Sequence, residues 1–436
     1  MTLSIVGLGV GLFLLVLLTI KGMNLMIAGP LCAFFVALLS GIPLYGETAS
    51  VTFFNGYMAG FAGFVKSWFL MFLFGSLFGK FMEQSGSAES IANWIVQKIG
   101  MKHAALAVVL ACAVLTYGGV SVFIVAFAVY PMALSLFQKA DLPRRFIPGA
   151  LAFGSVTFTM TSAGSPEIQN WIPIKFLGTT PYAGWQVSLI VAICMACFGY
   201  WWLTKMIKKA VAQGEKFESR VTDPDNDTQR ELPHPILSLI PLVLVVVTSF
   251  LLHGVLQQNA LIIALLVGVI SCWLMNYKYM NNVGQAVNFG ANGALIAIGN
   301  TAAVVGFGAI AKETLAFDYA VSLMTSIPGN ELLGAAVAVS VIAGLTGSAS
   351  GGQSIALPLL APHYTDLGVD PEQLHRIVSI SSGAIDSLPH NGYVVTTVRA
   401  ICGETHAQAY GPVGALTVII PTLGTLFAIL LFSLGL

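Results

Sequence analysis

The stretch "TYGGVS", Thr116 to Ser121, interrupts an apolar run that covers residues 104–137. A bilayer-spanning helix needs about 20 apolar residues. The whole run is too long for one span, and each arm, about 15 residues, is short for a span of its own. Paired glycines mark a turn. The run therefore reads as a re-entrant helical hairpin, 104–137, that enters and leaves on one side. Non-helical backbone survives at membrane depth only where it is buried in protein or lines a cavity.

The composition sets this hairpin in a membrane. Of 436 residues, 56% are hydrophobic and 9% are charged, against roughly 25% charged in soluble domains. So few charges cannot cover a water-facing surface, and the chain reads as one all-α polytopic membrane unit. Lys plus Arg and Asp plus Glu balance at 19 each, so no basic patch points to nucleic acid. The six cysteines lie in or beside apolar runs. Cys194 and Cys197 form a C-x-x-C in "LIVAICMACFGY" with no polar neighbour to hold a thiolate, and read as small packing residues. The run at 3–20 lacks a basic start and a small-residue cleavage site. It reads as a first membrane helix and not as a removed signal.

The remaining apolar runs fall into two matching sets. Full crossings are expected at 3–20, 23–44, 61–81, 146–176 and 187–206. Their counterparts are 236–252, 260–274, 286–310, 371–401 and 413–434. A second hairpin, 332–360, is broken by "LTGSASGGQS". Leu115-Thr116 answers Leu345-Thr346, Pro143 answers Pro371, and Gly164 in "TSAGSPEIQN" answers Gly392 in "DSLPHNG". An internal repeat of about 230 residues follows. Each half then holds five crossings and one hairpin. An odd number of crossings turns the second half upside down, and inverted repeats mark secondary transporters. The expected organisation is a first repeat at 1–207, a linker at 208–235 and a second repeat at 236–436.

Charge supplies the orientation. The linker is the long polar stretch of the chain. If it is cytoplasmic, both termini lie outside. All of the 19 Lys and Arg except Lys66, Lys175, Lys312 and Arg376 then fall on the inner side or at inner helix ends, Lys102 and Arg230 included. That is the positive-inside pattern, expected here for a bacterial inner membrane. The segments "SAESIANWIVQKIG" (87–100) and "LAFDYAVSLMTSIP" (315–328) read as interfacial helices, each preceding a hairpin.

Two crossings are broken near their middles. Pro389 removes a backbone donor, and Asn391-Gly392 tolerates unusual backbone angles. Gly164 and Pro166 do the same in the first half. Each break exposes amide donors that suit a carboxylate and carbonyls that suit a cation. The hairpin tips add the hydroxyls of Thr116, Ser121, Thr346, Ser348, Ser350 and Ser354 and the amide of Gln353. Tips and breaks are expected to converge on one pocket for a small polar anion. Asp386 and Glu167 are carboxyls within apolar spans, which are costly and usually functional. Desolvation favours their protonated form, so they are candidates to carry a coupling proton. His390, four residues after Asp386, reads as a proton relay or substrate donor.

The segments "GGVSVFIVAFAVYPMALSLFQKADLPRRFIPGALAFGSVTFTMTSAGSPEIQN" (118–170) and "SSGAIDSLPHNGYVVTT" (381–397) resemble the gluconate/proton symporter family of the ion-transporter superfamily. The branch most similar carries short hydroxy acids such as 3-hydroxybutyrate. The resemblance implies an elevator-type fold and a homodimer, with hairpins and broken helices sliding against a scaffold. It also implies a site lined by Gly118, Gly119, Ser121, Ser162, Ser165, Ser350, Gly351, Asp386, His390 and Asn391. Members of that family usually carry an uncharged residue, often Gln, where this chain has Glu167.

The expected activity is symport of a small organic carboxylate, such as gluconate or 3-hydroxybutyrate, with protons. Sodium coupling is the alternative. A passive anion channel is disfavoured by the two related breaks, which suit alternating access. An enzyme is not expected: "GSASG" would need serine at 349 to form a G-x-S-x-G nucleophile motif, and Ala349 stands there. No metal-ligand or cofactor pattern is present, so the expected partners are the acid, its coupling ion, the bilayer and a second copy of the chain.

Overall fold

The computed structural model describes residues 2–46, 51–100, 103–220, 231–257, 259–280, 282–325, 327 and 330–436. Lys102, Arg230, linker residues 221–230, and residues 326 and 328 of the second interfacial segment lie outside them. Among the described residues the chain is helical, without strands. Eight helices among the described residues are long and apolar enough to cross a membrane. In lipid a helix bonds its own backbone, so long apolar runs settle into this state.

The first half contains α1 (Thr2–Ile20), α2 (Leu25–Ser40), α3 (Phe53–Gln84), α4 (Ser87–Ile99), α5 (Ala104–Tyr117), α6 (Val122–Lys139), α7 (Ile147–Ala152), α8 (Ile174–Leu177) and α9 (Trp185–Ala212). The second contains α10 (Pro235–Leu256), α11 (Asn259–Asn276), α12 (Val283–Ala311), α13 (Leu315–Thr325), α14 (Glu331–Thr346) and α15 (Ala349–Asp366). It closes with α16 (Pro371–Ser382), α17 (Gly392–Val395), α18 (His406–Gly414) and α19 (Ile420–Ser433).

Helix α3 runs beyond the apolar stretch that announced it. Thr52 and Asn55 form a reciprocal cap, with Asn55 Oδ1 accepting from Thr52 N at 2.7 Å. At the far end Lys80 pairs with Glu83 at 2.7 Å. Its 32 residues give a rod of about 48 Å, longer than a hydrocarbon core of about 30 Å. Helix α12 lies along α3 and α2. Small residues permit that approach: a Cβ on Gly60 would stand 2.5 Å from Ala309 Cβ. Tyr57 crosses the seam and donates to Ala303 O at 3.1 Å.

Helices α5 and α6 fold back on one another, as do α14 and α15. The second arm of the first hairpin is longer than the expected 15 or so residues: α6 has 18 and is apolar and long enough to span by itself. Gln138 and Lys139 stay helical because a helix satisfies its backbone whatever its last side chains are.

Both broken segments unwind. After α7 the chain passes through a π-helical turn (Phe153–Thr157), an irregular stretch, and a 3-10 turn (Ile168–Asn170) before α8. Gly164 there holds φ +78°, a left-handed angle. After α16 the chain is irregular from Gly383 until α17, which continues as a π-helix (Thr396–Ile401). The segments expected at the interface form α4 and α13.

Two expectations need correction. Cys194 and Cys197 do not pack inside: both are exposed and unpaired on α9, because that face of a membrane helix presents side chains outward. Arg376, counted among the outward charges, is fully buried at 0% exposure, because carbonyls of the first broken segment surround it. Arg144 Nε donates to Glu404 Oε1 at 2.8 Å, and Arg220 reaches the same carboxylate at 3.0 Å.

Candidate substrate site

The four interruptions come together. A cavity of about 550 Å³ is lined by the first hairpin tip (Gly119, Ser121), the second tip (Gly347 to Ser350), the first break (Pro166 to Gln169) and the second break (Asp386, Ser387, Asn391, Gly392). Apolar walls come from α3 through Met71 and Phe72, from α11 through Leu261 and Leu265, and from α12 through Val304. The volume lies in the range of small-molecule sites, about 300–1,000 Å³.

Local chemistry explains why these backbones stop here. Ser348 caps α15, its Oγ accepting from Gly351 N at 3.1 Å. Gly347, just before it, holds φ +61° and ends α14. Ser121 stands before α6 without a side-chain cap bond. Both returning arms therefore begin at the cavity and present helix N-termini to it, the end that carries partial positive charge. Asn391 caps α17, accepting from Val394 N at 3.0 Å.

The two acids face the same space. Asp386 is buried, and its Oδ1 accepts from Ser387 Oγ at 3.0 Å. The backbone N–H of Ala349, the first residue of α15, is aimed at the same carboxyl. Glu167 reaches the cavity from the first break. Its carboxyl has no hydrogen bond or ion pair among the described residues; its backbone N–H donates to Ser165 Oγ. Among the described residues, no Lys, Arg or His lines the cavity. Two carbonyl oxygens of side-chain amides at its wall, Asn300 Oδ1 and Gln169 Oε1, are buried without a partner.

Of the residues singled out from sequence, Gly119, Ser121, Pro166, Glu167, Ser348, Ser350, Asp386, Asn391 and Gly392 line the cavity. Gly118, Ser162, Ser165, Thr346, Gly351 and His390, with Thr116, Gln353 and Ser354, are not among the lining residues. Gly118 packs on Leu242, whose Cδ2 would lie 2.0 Å from an added Cβ. Ser162 Oγ donates to Phe158 O, and Thr346 Oγ1 donates to Ile342 O. The carbonyl of Ser165 accepts from Trp171 Nε1 at 3.0 Å. The amide of Gly351 serves the Ser348 cap. His390 is buried with its ring against Gly347, so it fastens the break to the hairpin tip instead of facing the cavity. Asn300 and Thr301 on α12 line the site and were missed. Their signal was the polar pair in "AIGNTAAVV", an unusual expense inside an apolar run.

Comparison with known proteins places the chain among transporters. Residues 3–289 match the family model described as "CitMHS: Citrate transporter". The "Uncharacterized transporter YxjC" of Bacillus subtilis is 36% identical over 100% of this chain and 99% of its own. The "High-affinity gluconate transporter" of Escherichia coli is 26% identical over 88% of this chain and 89% of its own, which bears out the likeness to gluconate permeases read from the two motifs. The crystal structure of the Alcanivorax borkumensis YdaH transporter, described as having an unusual topology, superposes over 97% of this chain and 99% of that one. Its TM-score is 0.58 at 13% identity, a likeness of fold alone. The chain is thus a multi-pass membrane transporter, not an enzyme, and belongs to the citrate transporter (CitMHS) family.

Proposed function

We propose that the protein is a secondary active symporter that imports a small organic carboxylate or hydroxycarboxylate together with protons. One observation carries this reading: two carboxyls, Asp386 and Glu167, face a cavity that no basic side chain among the described residues lines. An anion cannot share a low-dielectric space with two ionised acids, since like charges repel strongly there. Protonating the acids removes the repulsion and turns each into a hydrogen-bond donor. Substrate and protons then bind together, which is the basis of symport. The helix N-termini of α6 and α15, with the hydroxyls of Ser121, Ser348 and Ser350, supply further donors for a carboxylate.

Gluconate, 3-hydroxybutyrate and citrate are the substrates to try, the last because of the family description. The matching order of hairpin and broken segment in residues 1–207 and 236–436 supports two inverted repeats joined by a cytoplasmic linker at 208–235, with both termini outside a bacterial inner membrane. Alternating access by an elevator movement within a homodimer fits that plan: hairpins and broken helices would travel against a scaffold built on α3 and α12.

The test is uptake into proteoliposomes. Labelled citrate, gluconate and 3-hydroxybutyrate are offered under an inward proton gradient, an inward sodium gradient, or neither. Accumulation driven by the proton gradient alone is expected for at least one acid. Accumulation that follows sodium at fixed pH would establish sodium coupling. Equilibration without accumulation under any gradient would identify a passive channel.

A further inference from the structure

Arg376 carries a charge that the transport reading has not used. It sits on α16, is fully buried, and forms no ion pair with a carboxylate among the described residues. An uncompensated buried charge is costly. Here oxygens compensate it. Nε donates to Ala183 O at 2.9 Å, Nη1 to Thr161 O at 2.7 Å and to Asn170 Oδ1 at 3.0 Å, and Nη2 to Pro181 O at 3.3 Å. All four acceptors belong to the first broken segment and the turn that follows it. The cage is braced from within, because Asn170 Nδ2 and Gly164 N both donate to Pro181 O.

A shell of neutral carbonyl oxygens at the unwound part of a broken helix is the environment that holds a small monovalent cation in a transporter. The donors are dipoles and carry no formal charge, so the shell suits a charge of +1. We propose that Arg376 is a tethered occupant of such a cation site: its guanidinium fills the carbonyl cage of the first break, so the transporter needs no free alkali cation there. This rests on the reading that protons, not sodium, couple transport. Because the guanidinium comes from α16 of the second broken segment, it also locks the two breaks into one body.

The test compares purified wild type, Arg376→Ala and Arg376→Lys in choline, sodium, potassium or guanidinium chloride at one ionic strength, without substrate or a pH gradient. Wild type is expected to melt at the same temperature in all four. Arg376→Ala is expected to melt low in choline, and to gain stability saturably with sodium, potassium or guanidinium as the emptied cage binds a free cation. In a separate uptake assay with substrate and a proton gradient, the same ion is expected to raise uptake by Arg376→Ala about tenfold or more. Arg376→Lys, whose ammonium supplies a point charge, is expected to need no added cation.

A folded Arg376→Ala that responds equally to all four salts would overturn the proposal and leave Arg376 as a plain structural tie. An Arg376→Ala that cannot be purified folded in any of the salts overturns it equally, since a free cation should restore the cage. Stability is read on resting protein, so this result is independent of which acid is carried. Wild-type uptake driven by sodium alone would instead refute the proton-coupling reading, by a separate measurement.

Discussion

The side-chain amide of Asn391 donates to the backbone carbonyl of Gly347 at 3.0 Å, fastening the second break to the tip of the second hairpin. The same Nδ2 donates to Asp386 O at 3.0 Å, and its Oδ1 accepts from Val394 N at 3.0 Å. One short side chain thus joins a hairpin, a candidate proton carrier and a helix start. Asn391→Ala removes all three bonds at a buried position. A loss of about 2–3 kcal/mol is expected from the cap and the orphaned carbonyls. Thermal unfolding in detergent measures it, and a melting temperature equal to wild type would show that the tie contributes nothing.

Asp386→Asn preserves shape and removes the titratable group. The protein is expected to fold, to lose accumulation driven by a proton gradient, and to retain counterflow exchange of substrate across the membrane. Normal accumulation by this variant would exclude Asp386 from coupling. Glu167→Gln is expected to lower the number of protons moved per substrate, measured by reversal potential in proteoliposomes; an unchanged ratio would leave Asp386 as the carrier.

Ser350 lines the cavity beside the start of α15, with its Oγ 3.4 Å from Ser348 Oγ. An indole at this position would occupy the space in which an acid's carboxylate would meet the helix N-terminus. Ser350→Trp is expected to weaken substrate binding by more than about tenfold, equivalent to 1.4 kcal/mol. Ligand-induced thermal shift reads the affinity, and an unaltered shift would place the site elsewhere.

Glu404 is not among the residues that line the cavity and holds Arg144 in a buried pair, the side chains being 2% and 6% exposed. Removing Glu404 takes away the carboxylate paired with buried Arg144 and leaves it the Tyr130 hydroxyl and the carbonyls of Glu218 and Cys402, at a cost of up to about 3–5 kcal/mol. Glu404→Ala is therefore expected to lower the melting temperature and the amount of protein in the membrane, with uptake per folded molecule unchanged. A drop in specific uptake at normal stability would contradict a purely structural role.

These sites differ in how plainly the sequence announced them. Pro389 interrupts a helix, and Asn391 and Gly392 are poor helix formers, so the second break was readable from residue types alone. Gly164 and Pro166 gave the first break for the same reason. Asp386 and Glu167 stood out because a carboxyl in an apolar run is rare. Asn300 was legible on the same ground and was passed over, since α12 carries no helix-breaker to draw attention to it. Ser162, Thr346 and His390 are polar and near the interruptions, yet they are not among the residues that line the cavity. A hydroxyl can bond back to its own helix, and a ring can pack on a glycine; which happens depends on neighbours that sequence spacing does not reveal.

What the sequence determined by itself was the solvent and the architecture: too few charges for water, apolar runs of spanning length, and breakers placed where helices must open. These are local or compositional properties, fixed by residue type and order. What only the tertiary structure decided was which polar groups share a space. Glu167 and Asp386 are 219 positions apart in the chain and face one cavity, while Arg376, ten positions before Asp386, turns away into carbonyls of the other half. Helix packing sets such pairings, because each side chain meets whatever the neighbouring element presents.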